Sequence, residues 1–383
     1  SLTAVLLDDM QQNSHMYTPR AEWFHDIKMS GGVNMGMVSG SRSVYNSAFG
    51  AKAYRQNGTK INYTGETTGR FPLYVYANVS GSVNDWTHAT MVLSNANIDS
   101  ARNYSSSNPY AGTVGFEQAF VHLGNFEYTP FFIEAGKQFA DYGRYDAHPV
   151  VASSLDQALT QTNASTVKLG FINNSGASAS VYGFQNATYR SNDNNQEGAL
   201  NYGASLGYAS NIDQVSYKLG AGYMYDMMGV NAVSNVVSNI NNYAGYHSRV
   251  GGLAAYASMN YDAFSLGANY ASALKHFNTA DLARNSTHLT IGARPWAAGI
   301  KAGYDFSAWN KSNNIYLGYQ ASGDTVYLNL PHTRYLVGYS IDVLKNAQLS
   351  AEFNHNNAWS SKVGGAVGGD SNLVAVRAAV RFG

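Results

Sequence analysis

The chain has 383 residues, 24 Lys+Arg against 24 Asp+Glu, and no Cys. Zero net charge gives no reason to expect a nucleic-acid partner, and the missing Cys removes disulfide, thiolate-metal and Cys-nucleophile chemistry together. Only 13% of residues are charged, Tyr (29) and Gly (38) are plentiful, Pro (7) is scarce and mean hydropathy is −0.26, so no apolar run approaches the ~20 residues of a transmembrane helix.

Ser1 is followed by no basic, apolar leader pattern. The chain therefore reads as a trimmed form, with residues 1–23 a periplasmic N-terminal segment and 24–383 one domain. From Phe24 onward the dominant signal is strict alternation, the mark of extended strands whose two faces meet different surroundings. In FHDIKMSGGVNMGM, Ile27, Met29, Val33, Met35 and Met37 share one face, against Asp26, Lys28, Ser30 and Asn34. LNYGASLGYA sets Leu200, Tyr202, Ala204, Leu206 and Tyr208 against Asn201, Gly203, Ser205 and Gly207. VSYKLGAGYMY, FSLGANY, WAAGIKAGYDF and RYLVGYSIDV repeat the pattern, with Lys218, Lys301, Asp305, Arg334 and Asp342 on the polar phase. The chain ends LVAVRAAVRFG, where Val374, Val376, Ala378, Val380 and Phe382 alternate with a set holding Arg377 and Arg381.

Strands are expected near 25–37, 71–82, 86–96, 114–123, 130–139, 165–173, 178–190, 199–210, 213–226, 249–261, 263–274, 296–306, 313–322, 333–343, 347–356 and 371–383, about sixteen in all. THLTIGAR, 287–294, would make the count odd and send the last strand outward, so it is assigned to an outer loop. Short links at Asn211–Asp213, Tyr261–Ala263 and Lys345–Asn346 alternate with long polar ones near 39–70, 97–113, 140–164, 227–248, 276–295 and 357–370. Short periplasmic turns, long outer loops, aromatics near strand ends and charges on one phase together predict an all-β transmembrane antiparallel barrel in the bacterial outer membrane. Arg377 and Arg381 then point to the lumen, since each would cost ~2–4 kcal/mol on the lipid face near the midplane. A multi-domain sandwich would need linkers, and a solenoid a fixed short repeat; neither is present.

A barrel of sixteen to eighteen strands leaves an aqueous channel, which predicts passage of small polar solutes. The inward phase offers Lys28, Lys168, Lys218, Lys301, Arg334, Arg377 and Arg381 as basic wall residues, and Asp26, Glu134, Asp305, Asp342 and Glu352 as acidic ones. Mixed signs with a slight basic excess suggest a transverse field or a modest anion preference more than a strict charge filter; charges pairing across neighbouring strands to hold the wall is the plainer reading of each. The third long link is charged early, with Lys137, Asp141, Arg144, Asp146 and His148. It then carries a helix at Ser154–Thr160 with Ser153 as N-cap. Its apolar Val150, Val151, Leu155 and Leu159 need a surface to bury against, so this loop is expected to fold into the pore and narrow it, with a surface loop folded on itself as the alternative. No HExxH, GxSxG, P-loop or EF-hand spacing occurs, so neither enzyme activity nor a metal or cofactor is expected; a Ser-His pair on the barrel surface has no fixed spacing and stays open as the third reading.

Residues 119–171 resemble the LbtU family of siderophore porins. The likeness rests on Gly136-Lys137-Gln138, Tyr142-Gly143-Arg144-Tyr145, His148-Pro149 and Leu155 to Thr162. Tyr319-Gln320 and Leu330-Pro331-His332-Thr333-Arg334-Tyr335 echo it later in the chain. The resemblance implies an outer-membrane barrel taking up a ferric siderophore or another iron source. The roughly twenty residues before the first strand are too few for a lumen-filling plug, which favours diffusion through a constricted lumen over energised uptake. A general diffusion porin or abundant surface protein is the alternative. Homo-oligomerisation stays open, because strand phases alone do not locate a contact patch.

Overall fold

The structure, a computed structural model, describes residues 27–40, 67–70, 73–94, 114–144, 154–194, 196–285, 288–328, 330–357, 359 and 370–383. The periplasmic segment assigned to 1–23, together with Asp26, Asp146, His148, Val150, Val151 and Ser153, lies outside the described residues.

Alternating sequence becomes alternating environment. The strands, in chain order, are β1 (Lys28–Gly40), β2 (Thr67–Arg70), β3 (Leu73–Asn84), β4 (Thr87–Ser94), β5 (Gly115–Leu123), β6 (Phe131–Phe139), β7 (Asn163–Ile172), β8 (Ala177–Gln185), β9 (Leu200–Ile212) and β10 (Val215–Met224). They continue as β11 (Gly252–Tyr261), β12 (Phe264–Ala273), β13 (Ala283–Asn285), β14 (His288–Gly292), β15 (Trp296–Ala308), β16 (Lys311–Gly323), β17 (Thr333–Leu344), β18 (Ala347–Asn357) and β19 (Ser371–Phe382). β2 pairs β1 in line with β3 and completes the same stave. β13 and β14 form a separate hairpin. What remains is a closed ring of sixteen antiparallel staves, shut where β1 pairs β19 from Gly31↔Phe382 to Gly40↔Leu373. Closure leaves no sheet edge to hydrogen-bond with lipid.

The phase of the last strand is now fixed. Val374, Val376 and Val380 are 40–52% exposed on the outside, whereas Ala375, Arg377 and Ala379 are buried inside. Outward aromatics form two belts: Tyr208–Tyr217 and Phe264–Tyr304 near the short turns, Tyr202–Tyr225 and Tyr319–Tyr335 near the long loops. Amphipathic rings at two levels mark the two interfaces of a bilayer, and the chain is an outer-membrane barrel. The turn at Trp309-Asn310 has positive φ at both residues, the type I′ form that two-residue hairpins favour.

Three boundaries differ from the sequence expectation. The strand expected to run to 190 stops at Gln185, and 186–199 is a further long outer loop. The link at 227–248 holds a helix, α2 (Asn231–Ile240). The short helix of the third loop, α1 (Gln157–Thr160), has Asp156 at its N-cap, with no side-chain cap bond. As expected, 288–292 belongs to an outer loop, as β14.

Candidate pore lining and constriction

Antiparallel pairing puts directly opposed residues on the same face. His122 on β5 opposes Glu134 on β6, which opposes Lys168 on β7, so three ionisable side chains line up across the inner wall. His122 Nδ1 lies 3.2 Å from Glu134 Oε1, and Lys168 Nζ 2.8 Å from Glu134 Oε2. The row continues into the third loop. Asp141, two residues past β6, sets its Oδ2 3.4 Å from Lys168 Nζ and accepts a 2.8 Å bond from Ser180 Oγ on β8. These four charged or ionisable side chains are at most 8% exposed.

The loop then runs along the inner wall to β10 and β11. A Cβ at Gly222 would stand 2.2 Å from Tyr142 O, and one at Gly252 2.0 Å from Tyr142 Oη. Glycine at these inward positions of β10 and β11 lets the loop lie on the wall. Arg144 ends the described stretch with its guanidinium 4.4 Å above the Tyr256 ring on β11. A segment leaving β6 therefore reaches β11, and its return carries Leu155 and Leu159, 1% and 0% exposed. The sequence expectation of an inward loop is met by Asp141 and Arg144. It is not met by Lys137, which belongs to the outward phase: it opposes the outward Ala119 and Ser165, and its Nζ donates to Phe116 O at 2.8 Å. Parity decides this, because 137 shares the phase of the exposed Phe131 and Ile133.

Other wall candidates lie on the inward phase, held by neighbours. Lys301 Nζ sits 4.9 Å over the Tyr316 ring, and Tyr316 donates to Glu352. Arg334 Nε donates to Asn356 Oδ1 at 2.6 Å, and Asn356 to Asn354 at 2.9 Å. Arg377 Nη2 donates to Gln348 Oε1 at 3.1 Å, and Gln348 Nε2 to Asp342 at 3.0 Å. Asp305 accepts from Asn314 at 2.6 Å. Lys218 is half-buried on β10, Arg381 is exposed opposite Gly32 near the short-turn end, and Lys28 lies on β1 opposite Ser80. Mutual support along the wall, the plainer reading of these charges, accounts for most of them.

One feature escaped the sequence reading. The outer ends of β8–β15 carry inward Phe184, Met224, Ala254, Ala271, Ala273 and Ala297, all nearly or fully buried. Outer-loop residues pack on them into one apolar core, including Leu159 of α1, Val233 and Val237 of α2, Leu282 and Leu330. Here the inner face is apolar, because loops and not water cover it. The signal was legible in NAVSNVVSNI: Val233, Val236, Val237 and Ile240 recur at helical spacing. The cap is pinned by Asp226, whose carboxylate accepts from Met228 N at 3.0 Å and Tyr246 Oη at 2.7 Å.

Burial raises the Asp226 carboxyl above its usual 3.8, only partly offset by the Tyr246 and Met228 bonds and by Arg249. A raised carboxyl pKa means the cap holds the proton more tightly than the opened loop does. Its contribution to stability is full below the opened-state value and is lost as pH rises through the folded one. Amides of α2 should thus be better protected from hydrogen exchange near pH 4 than near pH 7, after intrinsic-rate correction. Asp226→Asn should flatten that dependence. An unchanged slope in the variant would assign the pH effect elsewhere.

No group of three or more metal-ligating side chains occurs among the described residues. No family model matches the chain. It is 28% identical over 319 residues to the UPF0422 protein of Coxiella burnetii, covering 81% of this chain and 62% of that one. It is 26% identical over 271 residues to UPF0422 protein lpl2888 of Legionella pneumophila, covering 66% and 49%. The chain thus spans about half to three-fifths of the length of these curated relatives. Among solved structures, OprB of Pseudomonas putida aligns with TM-score 0.57 at 10% identity, over 93% of this chain and 94% of that one. OmpF of Salmonella typhi in complex with daunomycin gives 0.57 at 13%, over 93% and 97%. The anion-selective porin of Comamonas acidovorans gives 0.57 at 11%, over 93% and 99%. The fold is that of the outer-membrane porins.

Proposed function

We propose that this chain is a porin that passes small polar solutes by diffusion. The observation that carries this reading is the third loop, folded inside the ring, latched by Asp141 to Lys168 and Ser180 and leaning Arg144 on Tyr256 of β11. A loop fixed inside a sixteen-stave barrel narrows the passage without filling it, which suits a size-limited channel. The similarity to solved porins supports passage of solutes.

The finer reading is an iron source, a ferric siderophore being the first candidate. It is supported by the resemblance of residues 119–171 to siderophore porins, of which Asp141, Tyr142, Gly143 and Arg144 fall at the latched loop. Proteoliposomes should then swell faster in the iron-loaded siderophore than in an uncharged sugar of equal size. Equal rates would leave a general diffusion porin, and no swelling in either would remove the channel reading altogether.

A further inference from the structure

Outside the ring, two long outer loops close on each other. The link between β8 and β9 meets the link between β10 and β11 through a parallel bridge at Arg190↔Tyr246. Tyr246 N donates to Tyr189 O at 3.1 Å, and Ser191 N to Tyr246 O at 2.8 Å. A cleft opens between the two links, with about 300 Å³ of space, open solvent included. Thr188 and Tyr189 line it from the first link; Val237, Ser238, Asn241 and Tyr243 line it from α2 and the turn that follows. Among the described lining residues none is Lys, Arg, Asp or Glu.

Two hydroxyls in this lining have no partner. Ser238 is 5% exposed, and its Oγ makes no hydrogen bond. Thr188 Oγ1, on the opposite link, is also buried and makes none. A buried polar group without a partner is costly, and a ligand that answers it removes that cost. Each hydroxyl can both donate and accept, so each suits another hydroxyl better than it suits a charge.

The turn after α2 is the most strained backbone near the cleft. Asn242 and Tyr243 have φ of 51° and 61°. An aromatic residue in that region persists only where its surroundings fix it, and such strain gathers at binding sites. Here Tyr243 N donates to Ser238 O at 2.8 Å, and Tyr243 Oη to Asn239 Oδ1 at 3.1 Å. Tyr189 Oη donates to Tyr243 O at 3.2 Å. Gly245 has φ 92°, and a Cβ there would stand 2.9 Å from Tyr189 Cε2; glycine lets that ring lie against the turn. Both tyrosine hydroxyls are thus spent on the protein. Their rings remain for contact, that of Tyr243 in a residue 43% exposed.

We propose that this cleft binds one edge of a neutral ring carrying hydroxyls, the chemistry shared by a hexose and a catechol. The ring's hydroxyls pair with Ser238 and Thr188, and its body rests on tyrosine. The site belongs to the outer loops and not to the lumen, so it stands or falls apart from the channel reading.

The test uses the full chain in a detergent without a sugar head group. Methyl glucoside, methyl galactoside and catechol are the probes, and glycerol is the acyclic control. Saturation-transfer NMR should show binding to a ring probe and none to glycerol. Ser238→Ala/Thr188→Val should raise the half-saturating concentration by about tenfold or more, and Ser238→Ala alone by about threefold. Neither variant should lower the urea midpoint, because each removes an unpaired buried hydroxyl. Ser312→Ala, just after the short turn at the other end of the barrel, should leave binding unchanged. Binding of the glycosides alone assigns a sugar, and binding of catechol alone a dihydric phenol. No binding of any ring probe, or equal binding by wild type and double variant, overturns the proposal. Glycerol binding as strong as that of the rings overturns it too.

Discussion

A Lys168→Met variant is expected to unfold at lower urea than the wild-type barrel and, while still folded, to conduct more. Lys168 is the hinge of the latch. Its ammonium lies 2.8 Å from Glu134 and 3.4 Å from Asp141, with its own side chain 4% exposed and Glu134 wholly buried. Methionine matches the length of the stem but cannot answer either carboxylate. Removing one partner of a buried ion pair leaves the other charge without compensation and costs about 3–5 kcal/mol. His122, 3.2 Å from Glu134, limits the loss on that side. Among the described residues Asp141 has no such second cation beside it and keeps the Ser180 hydroxyl. Wall stability and loop position thus fall together, and the two readouts separate them: a urea titration in lipid vesicles reads the barrel, single-channel conductance reads the loop. Loss of stability with unchanged conductance would mean that Tyr142, seated on Gly222 and Gly252, holds the loop without the ion pair.

Leu206→Arg is expected to cost about 2–4 kcal/mol of barrel stability, and Ser216→Arg close to nothing. Leu206 is 68% exposed in the middle of β9, between Ala179 and Ala221 of the neighbouring strands and inside the Tyr202 and Tyr208 belts, nearer the second. Its surroundings are hydrocarbon on the outside of the ring, and an arginine there must snorkel some distance to either interface. Ser216 is an exposed inward residue of β10 near the short turns, where water receives the charge. Refolding into lipid vesicles with a urea titration measures both. Equal penalties at the two positions would contradict the assignment of inside and outside on which the wall and the latch both depend.

Legibility in the sequence followed locality. The sixteen staves, the phase of Arg377 and Arg381, and the short turns were readable because a period of two is enforced by nearest neighbours. The same parity that places Glu134 and Lys168 inside places Lys137 outside, so that error was avoidable from the sequence. The helix Asn231–Ile240 was likewise written in the spacing of its valines. The polar row His122–Glu134–Lys168 was not legible. It requires the register between β5, β6 and β7, and residues 122 and 168 are far apart in the chain.

What the sequence determined by itself is the alternation, hence strands, hence one apolar and one polar face, hence a ring in a membrane. Pattern suffices there because a bilayer penalises each lipid-facing residue one at a time. What only the tertiary structure decided is which loops enter the ring, and where. Tyr142 on Gly222 and Gly252, and the valines of the outer helix gathered into one apolar cluster with Leu159, Ala254 and Ala271, are encounters between distant segments. Their energy depends on shape across a gap that only closure of the barrel creates.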